Sequence, residues 1–421
     1  MKPFFSLPKN LPYLRSALAS VGFRAVSALA IGKWIALAFG PAGTALFGQL
    51  MNLYSCFSSI PCDGLGRAVI KEGTLAEQAE KGSETQAIVS TSYFILGILF
   101  VLQWLITIVI ACTTNWFSPF QESGLLPWLL LSFGTLAGVY FGSSIFLVWH
   151  KTKFQAITIS ALALGGLLGI LLSYLAKFDI NETLLSFMFG QSLGGLVVLI
   201  RGSGQLPAMR LKPIWNAPIA KKLLVFALAF SSTIFINQLG SYGLVHWAID
   251  EMGTQKVGLW MAMNRISDIF NIPLLAIANS ILLPLLASQA HNLTELRKTL
   301  SPVFKQSFVG LAVGLFLLFF LYPILLPLLY TKEFQTTSEW TAWQLAGDFF
   351  KSSTAVVAVL ILALGHTRFY FWLETTSMAV ILFLSWFLFH KFGFEGMFIA
   401  HFLRYSLYWS AIIWRYRAVL I

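Results

Sequence analysis

Twelve mostly apolar stretches recur along the chain, and a helix of about 20 such residues is long enough to cross the hydrocarbon layer of a bilayer. The first six cover about 14–39, 43–68, 88–111, 125–149, 155–176 and 183–200; the other six cover about 223–248, 257–288, 306–330, 340–364, 369–389 and 395–414. Lipid offers no hydrogen bonds to a bare peptide group, so stretches of this kind cross as helices. The expected fold is an all-α integral membrane protein of twelve transmembrane helices. Most connections are short turns rich in helix breakers: Gly40-Pro41-Ala42-Gly43, Asp179-Ile180-Asn181-Glu182, Gly365-His366 and Lys391-Phe392-Gly393. Only 69–87, 201–222 and 289–305 are longer, and none of them has the length of a soluble domain.

Composition closes off the alternatives. Charged residues make up 11% of the chain, against roughly 25% in soluble proteins. A water-soluble globule could not cover its surface with so few charges, which excludes a cytosolic enzyme, a secreted domain and a disordered chain. Three cysteines (Cys56, Cys62, Cys112) make no disulfide framework. The net charge of +11 would raise nucleic acid as the partner of a soluble protein. In a membrane protein it reflects basic cytoplasmic loops instead. With the N-terminus inside, 19 Lys and Arg fall in inside loops and four outside: Lys177, Lys256, Lys332 and Lys391. That bias places both termini in the cytoplasm. The first stretch carries Arg24 and Lys33, and it reads as a retained span rather than a cleaved signal.

The longest basic loop lies at the middle of the chain. It divides the expected protein into an N-terminal six-helix lobe (1–200), a cytoplasmic linker (201–222) and a C-terminal six-helix lobe (223–421). A faint internal similarity supports two repeats: Gly43-Thr44 opens span two and Gly253-Thr254 opens span eight. An even number of spans per half makes the repeats parallel, a plan found in secondary transporters. Two such lobes around a central cavity suit alternating access.

Ionisable residues inside spans mark the functional surface, because each costs several kcal/mol in lipid, about 2.5–3.5 kcal/mol even on the gentlest scale. Arg24 and Lys33 lie on span one; Lys33 either faces the cavity or snorkels outward. Arg265 and Asp268 are three apart on span eight, Asp348 and Lys351 repeat the spacing on span ten, and Asp63 and Arg67 are four apart on span two. Residues at these spacings are neighbours on one helix face. Each pair is either self-neutralising or lines the cavity, where an anion takes the cation and frees the carboxylate for a proton or ion. Glu374 on span eleven has no base within one turn. His246 and His401 read as hydrogen-bonded packing residues, and the six His show no metal spacing. No phosphate-binding loop, nucleophile elbow or zinc motif is present. The reading is a transporter, with no enzyme activity, cofactor or metal.

Several short motifs occur in a consistent order. They are Gly32-Lys33 with Phe39-Gly40-Pro41-Ala42-Gly43; Val257-Gly258-Leu259-Trp260 and Ile266-Ser267-Asp268; Leu283-Pro284-Leu285-Leu286; Lys332-Glu333-Phe334; Trp343-Gln344-Leu345-Ala346-Gly347-Asp348-Phe349-Phe350-Lys351; and Arg368-Phe369-Tyr370. On these residues the chain resembles the Wzx-type flippases of the polysaccharide transporter family. Within it, the likeness is to the branch that moves the enterobacterial common antigen or O-antigen unit in lipopolysaccharide and surface-polysaccharide biosynthesis. Arg265 departs from the family pattern. The resemblance implies an oligosaccharide on undecaprenyl pyrophosphate as substrate, moved from the cytoplasmic to the periplasmic leaflet of the bacterial inner membrane. It leaves the chain acting alone or beside a repeat-unit polymerase and a chain-length regulator. Such a headgroup calls for basic side chains, for which Arg24, Lys33, Arg265 and Lys351 are the candidates. Asp268, Asp348 and Glu374 are the candidates for proton or sodium coupling. The main rival is a cation-coupled multidrug exporter, which calls for an acidic cavity. A membrane polymerase calls for a large periplasmic loop, and the longest outside loop here has about a dozen residues.

Overall fold

The computed structural model describes residues 11–113, 120, 122–204, 213–277, 282, 286, 289 and 292–420. The end of the eighth expected span, with Leu283, Pro284 and Leu285, lies outside the described residues, as do Lys2, Lys9, Arg210 and Lys212. All regular structure among the described residues is helical. The elements are α1 (Leu11–Ser58), a π-helical turn (Ser59–Leu65), α2 (Gly66–Gln78), α3 (Gly82–Thr113), α4 (Leu126–Val148), α5 (Thr152–Ala176) and α6 (Ile180–Ser203). They continue with α7 (Ala217–Ile277), α8 (Leu293–Leu329), a 3-10 helix (Lys332–Trp340), α9 (Thr341–Ala363), α10 (Thr367–Phe392) and α11 (Glu395–Leu420).

Two of these helices are long only because a glycine joins two segments. Gly40 has φ 63° within α1, and Gly253 has φ 79° within α7. Both conformations exclude a Cβ at little cost only in glycine, so the helix breaks there. With α1 and α7 each counted as two, and α3–α6 and α8–α11 as one each, the described residues hold the twelve helical segments that the hydropathy predicts. Eight helices meet the length and apolarity of a membrane span outright, and the bent α7 brings the number to nine. The protein is a multi-pass membrane protein. Its broken helices also correct the repeat register. The conformational counterpart of Gly253 is Gly40, not Gly43, so the sequence similarity runs three residues out of step.

The expected turns fall where the breakers lie. Gly365 and Gly393 have φ of 70° and 59° and end α9 and α10. Asp179 and Glu182 form a reciprocal capping box at the start of α6: each carboxylate accepts the other residue's backbone N–H. Two expected loops are mostly helix. α2 and α3 occupy most of 69–87, and α8 starts at Leu293, where the Asn292 side chain accepts from the N–H groups of Thr294 and Glu295. Hydropathy finds the apolar part of a helix, and these helices continue past it on polar residues.

The chain forms two compact units. One gathers residues up to Ile31 and Leu50–Leu239, and the other gathers Gly32–Gln49 and Gly240–Ile421. The boundary at 239/240 falls within α7 rather than in the 201–222 loop. In the first unit, Leu65, Val89, Phe141, Ile145, Phe146 and Leu223 make the core. The most intimate helix pair here is α5 with α6. Gly165 and Gly169 face Ser186, Gly190 and Gly194, and any Cβ added at one of these glycines would collide with a backbone carbonyl of the other helix. Small residues four apart on both helices let the backbones approach, which is how helices associate in lipid without a hydrophobic drive. The Ser186 hydroxyl adds a 2.7 Å hydrogen bond to the Gly169 carbonyl. In the second unit, Trp260, Tyr322, Phe334 and Phe398 centre one cluster, and Leu300, Leu360 and Ile412 lie in another.

Candidate functional site

The second unit holds the densest set of polar groups among the described residues, contributed by α7, α9 and α11. Asp348 on α9 is 1% exposed. It is held by neighbours on all three helices. The Ser267 hydroxyl donates to Oδ2, His401 Nε2 donates to Oδ1 at 3.0 Å, and Gln344 Nε2 lies 3.3 Å from Oδ1. Gln344 also reaches Asn264 Oδ1 and Ser267 Oγ, both at 3.1 Å. One turn along, Ser352 donates to Asn271 Oδ1 at 2.6 Å. A buried carboxylate is tolerated only where donors replace its water, and this network supplies them.

The approach of α11 to α9 depends on Gly347. A Cβ there would collide with the His401 imidazole. The residue beside the buried acid therefore lacks a side chain so that the histidine can lie against the backbone and reach it.

Lys351 lies one turn beyond Asp348, and its partner is on another helix. Its Nζ sits 2.7 Å from Asp268 Oδ1. The sequence spacing pairs Arg265 with Asp268 and Asp348 with Lys351. The structure exchanges the partners, because α7 and α9 lie side by side and a contact across helices is shorter than one along a helix. The Arg265 guanidinium instead stacks on Phe47, 4.2 Å from the ring centroid. The Asp268 side chain is 60% exposed and that of Lys351 24%, so this ion pair opens to the surface of the unit while Asp348 does not.

One further cation, Arg404, and one further acid, Glu374, lie in the same unit. Lys351 Nζ lies 5.9 Å, and the Arg404 guanidinium 4.9 Å, from the Tyr405 ring centroid. Tyr405 is thus a ring between two cations. Arg404 Nε donates to Ser377 Oγ at 2.8 Å. Glu374 accepts a 2.7 Å hydrogen bond from the Tyr408 hydroxyl, a partner on α11 that spacing along α10 could not reveal.

Lys33 makes its contacts at the end of α8. Its ammonium caps the end of α8, donating to the carbonyls of Pro327 at 3.3 Å, Leu328 at 2.9 Å and Tyr330. Helix C-termini carry unsatisfied carbonyls and partial negative charge, and α8 ends at Leu329, so the carbonyls of its last turn have no helical N–H four residues on to accept from. Three backbone carbonyls thus surround this ammonium. Its neighbourhood is equally close-packed: Gly258 lies against the Pro41 carbonyl with no room for a Cβ, and Gly48 lies against Met261.

In the first unit, Arg24 is exposed and interacts electrostatically with Tyr140 on α4, which also feels Asp63. Asp63 lies in the π-helical turn, 3.9 Å from Arg67, with both side chains open to the surface. The expected pairing along span two is therefore present as a loose contact. In the middle of α2, Glu72 is 6% exposed and is held by Lys71 at 3.4 Å and by Lys222 near the start of α7. The structure thus brings Arg265, Asp268, Asp348, Lys351 and Glu374 into one unit and leaves Arg24 in the other. The residues that spacing missed are His401, Ser267, Asn264 and Tyr405. The signal available for His401 was the Gly347-Asp348 pair, a small residue next to an acid within a span.

The fold is similar to that of solved transporters of the MOP superfamily. An inward-facing multidrug-resistance MATE family transporter superposes with a TM-score of 0.78 at 14% identity, covering 94% of this chain and 95% of that one. A MOP superfamily transporter from Pyrococcus furiosus, described as having a binding pocket of reversed polarity, superposes with a TM-score of 0.69 at 13% identity over 97% and 95%. By sequence, the chain is similar to the Lipid III flippases of Escherichia coli K12 and Shigella flexneri: 24% identical over 420 residues, 96% of this chain and 97% of each of those. No protein-family model matches it.

Proposed function

We propose that this protein is a flippase that moves an undecaprenyl-pyrophosphate-linked oligosaccharide from the cytoplasmic to the periplasmic leaflet of a bacterial inner membrane by alternating access. The observation that carries the proposal is Lys351. It is an in-membrane ammonium whose carboxylate partner, Asp268, is open to the surface, so an incoming anion can displace the partner without uncovering a buried charge. Arg265 and Arg404 lie in the same unit, and Tyr405 offers a ring face of the kind sugars stack on. The full-length similarity to Lipid III flippases supports a lipid-linked substrate, and the enterobacterial common antigen or O-antigen type is this proposal's own reading of the sequence motifs. The lipid tail stays in the bilayer while the headgroup crosses, and the proposed organisation is an N-terminal lobe (1–200), a linker (201–222) and a C-terminal lobe (223–421). Asp268, Asp348 and Glu374 are the acids through which a proton or sodium gradient would act. This reading is compatible with the chain acting alone or beside a repeat-unit polymerase and a chain-length regulator.

The test is leaflet exchange in liposomes. Purified protein reconstituted with an undecaprenyl-pyrophosphate-linked oligosaccharide should expose the sugar to an impermeant lectin faster than protein-free liposomes do, and should leave ethidium gradients unchanged. The MATE architecture makes drug export the rival. Ethidium transport without sugar exchange would establish that rival and end the flippase reading.

The proposed orientation has its own check. Single cysteines at Ala42 and Ser203, in a chain lacking its three native cysteines, should react with an impermeant thiol reagent from opposite sides of the membrane, Ala42 from the periplasm. Reaction of both from one side would overturn the twelve-span topology with cytoplasmic termini.

A further inference from the structure

We infer that His401 and Asp348 together form a proton-binding site, and that proton binding there strengthens the unit's hold on an anionic headgroup. The inference concerns a residue pair rather than a single acid, and it rests on the flippase reading only for the nature of the anion.

The geometry points to the pair. His401 and Asp348 are 8% and 1% exposed, and their side chains share a 3.0 Å hydrogen bond. With a proton on Nε2 alone, the imidazole is neutral, the carboxylate is ionised, and the pair carries one negative charge. A hydronium ion reaching the site gives one proton to the pair and leaves as water. The product is an imidazolium facing a carboxylate, or an imidazole facing a carboxylic acid. Either product is neutral overall and keeps the hydrogen bond. The change of one charge therefore needs no rearrangement of helices, and histidine is the side chain suited to make it near neutral pH.

The surroundings decide the sign. From α7 the pair is faced by Ser267 and Asn264, which are neutral, with Asp268 and Arg265 one position beyond each. From α8 it is faced by Tyr322, which senses the Asp348 charge. On α9, Gln344 bonds Asp348 and Lys351 lies one turn away and feels it electrostatically. On α11, Tyr405 packs on the His401 ring at 5.0 Å, and Arg404 lies against Tyr405. Among these groups, Lys351 is the cation that feels the Asp348 charge. Neutralising the pair removes a negative charge beside Lys351 and raises the potential felt by any anion that Lys351 holds. Linkage runs equally both ways, so anion binding draws a proton onto the pair.

The experiment uses the full chain in nanodiscs and undecaprenyl-pyrophosphoryl-N-acetylglucosamine, a diphosphate diester with no titrating proton of its own near neutrality. Its affinity for the wild type should be about fivefold to tenfold higher at pH 6 than at pH 8, within the usual size of a coupling between two sites. In a weakly buffered solution with a pH indicator, binding near pH 7 should take up protons. His401→Gln keeps a side-chain donor toward Asp348, and Asp348→Asn keeps the shape; each should bind the lipid with a flat pH profile and no proton uptake. A wild-type affinity unchanged between pH 6 and 8 overturns the inference without any variant. So does the same proton uptake in either variant. A wild type that does not bind the lipid at any pH counts against the flippase reading instead. In that case a 15N-histidine titration of the wild type still tests the pair: a His401 resonance that titrates in wild type and moves in Asp348→Asn supports the proton site, and one that stays unchanged from pH 5 to 9 overturns it.

Discussion

Gly190→Ala should cost the protein about 2–3 kcal/mol or more, the upper range for overpacked cores, and should lower the folded yield sharply. A methyl at this position would collide with the carbonyl of Gly165 on the neighbouring helix and press on Gly169. Backbone cannot rotate away as a side chain does, so α5 and α6 must separate along the whole stripe. Gly165→Ala meets the reciprocal obstacle, the Gly190 carbonyl. Because both changes force the same separation, the double variant should cost less than the sum of the two. Gly310→Ala and Gly314→Ala on α8 are the controls. A Cβ at either meets nothing within 4 Å, so neither should lose stability. Fluorescence-detected size exclusion after graded heating reads all four. Equal melting of Gly190→Ala and Gly314→Ala would show that the close approach of α5 and α6 contributes nothing to stability.

The α5/α6 pair also shows what was legible in the sequence. Gly165-x-x-x-Gly169 and Gly190-x-x-x-Gly194 stand in the chain as plain motifs, and they specify close backbone packing through the absence of side chains. Span positions were legible for a similar reason: twelve apolar stretches admit one secondary structure in lipid. The turns at Gly40, Gly365 and Gly393 followed from glycine's access to positive φ. Partnerships between spans were not legible. Spacing along a helix orders neighbours on that helix alone, and so it joined Arg265 to Asp268 and Asp348 to Lys351. The real contacts, Lys351 with Asp268 and Asp348 with His401, each join two helices far apart in the chain. The contacts of Lys33 were not legible on the same ground, since the carbonyls it caps lie at the end of α8, nearly 300 residues away. The acids and bases within spans could be read from the sequence, and only the fold could assign their partners.

Lys351→Ala should leave the protein folded and reduce oligosaccharide exchange by about tenfold to a hundredfold, the equivalent of one lost hydrogen bond to a charged group. The small stability cost follows from exposure. Asp268 is 60% exposed, so losing its partner leaves a carboxylate that the surrounding medium solvates, and open pairs of this kind contribute about 0–1 kcal/mol. The large functional cost follows from the proposed role: an ammonium that an anion can take from its carboxylate partner. The charge exchange Asp268→Lys with Lys351→Asp separates this role from packing. It preserves an ion pair between α7 and α9 while moving the cation to the other helix. If the pair only holds the two helices together, the exchange restores both thermal stability and transport. If Lys351 binds the headgroup, the exchange restores stability and leaves transport low, because the cation no longer stands beside Tyr405, where it lies 5.9 Å from the ring in the wild type. Restored transport in the exchanged protein, measured as lectin-accessible sugar in liposomes, would assign the pair to structure and remove Lys351 from the substrate site.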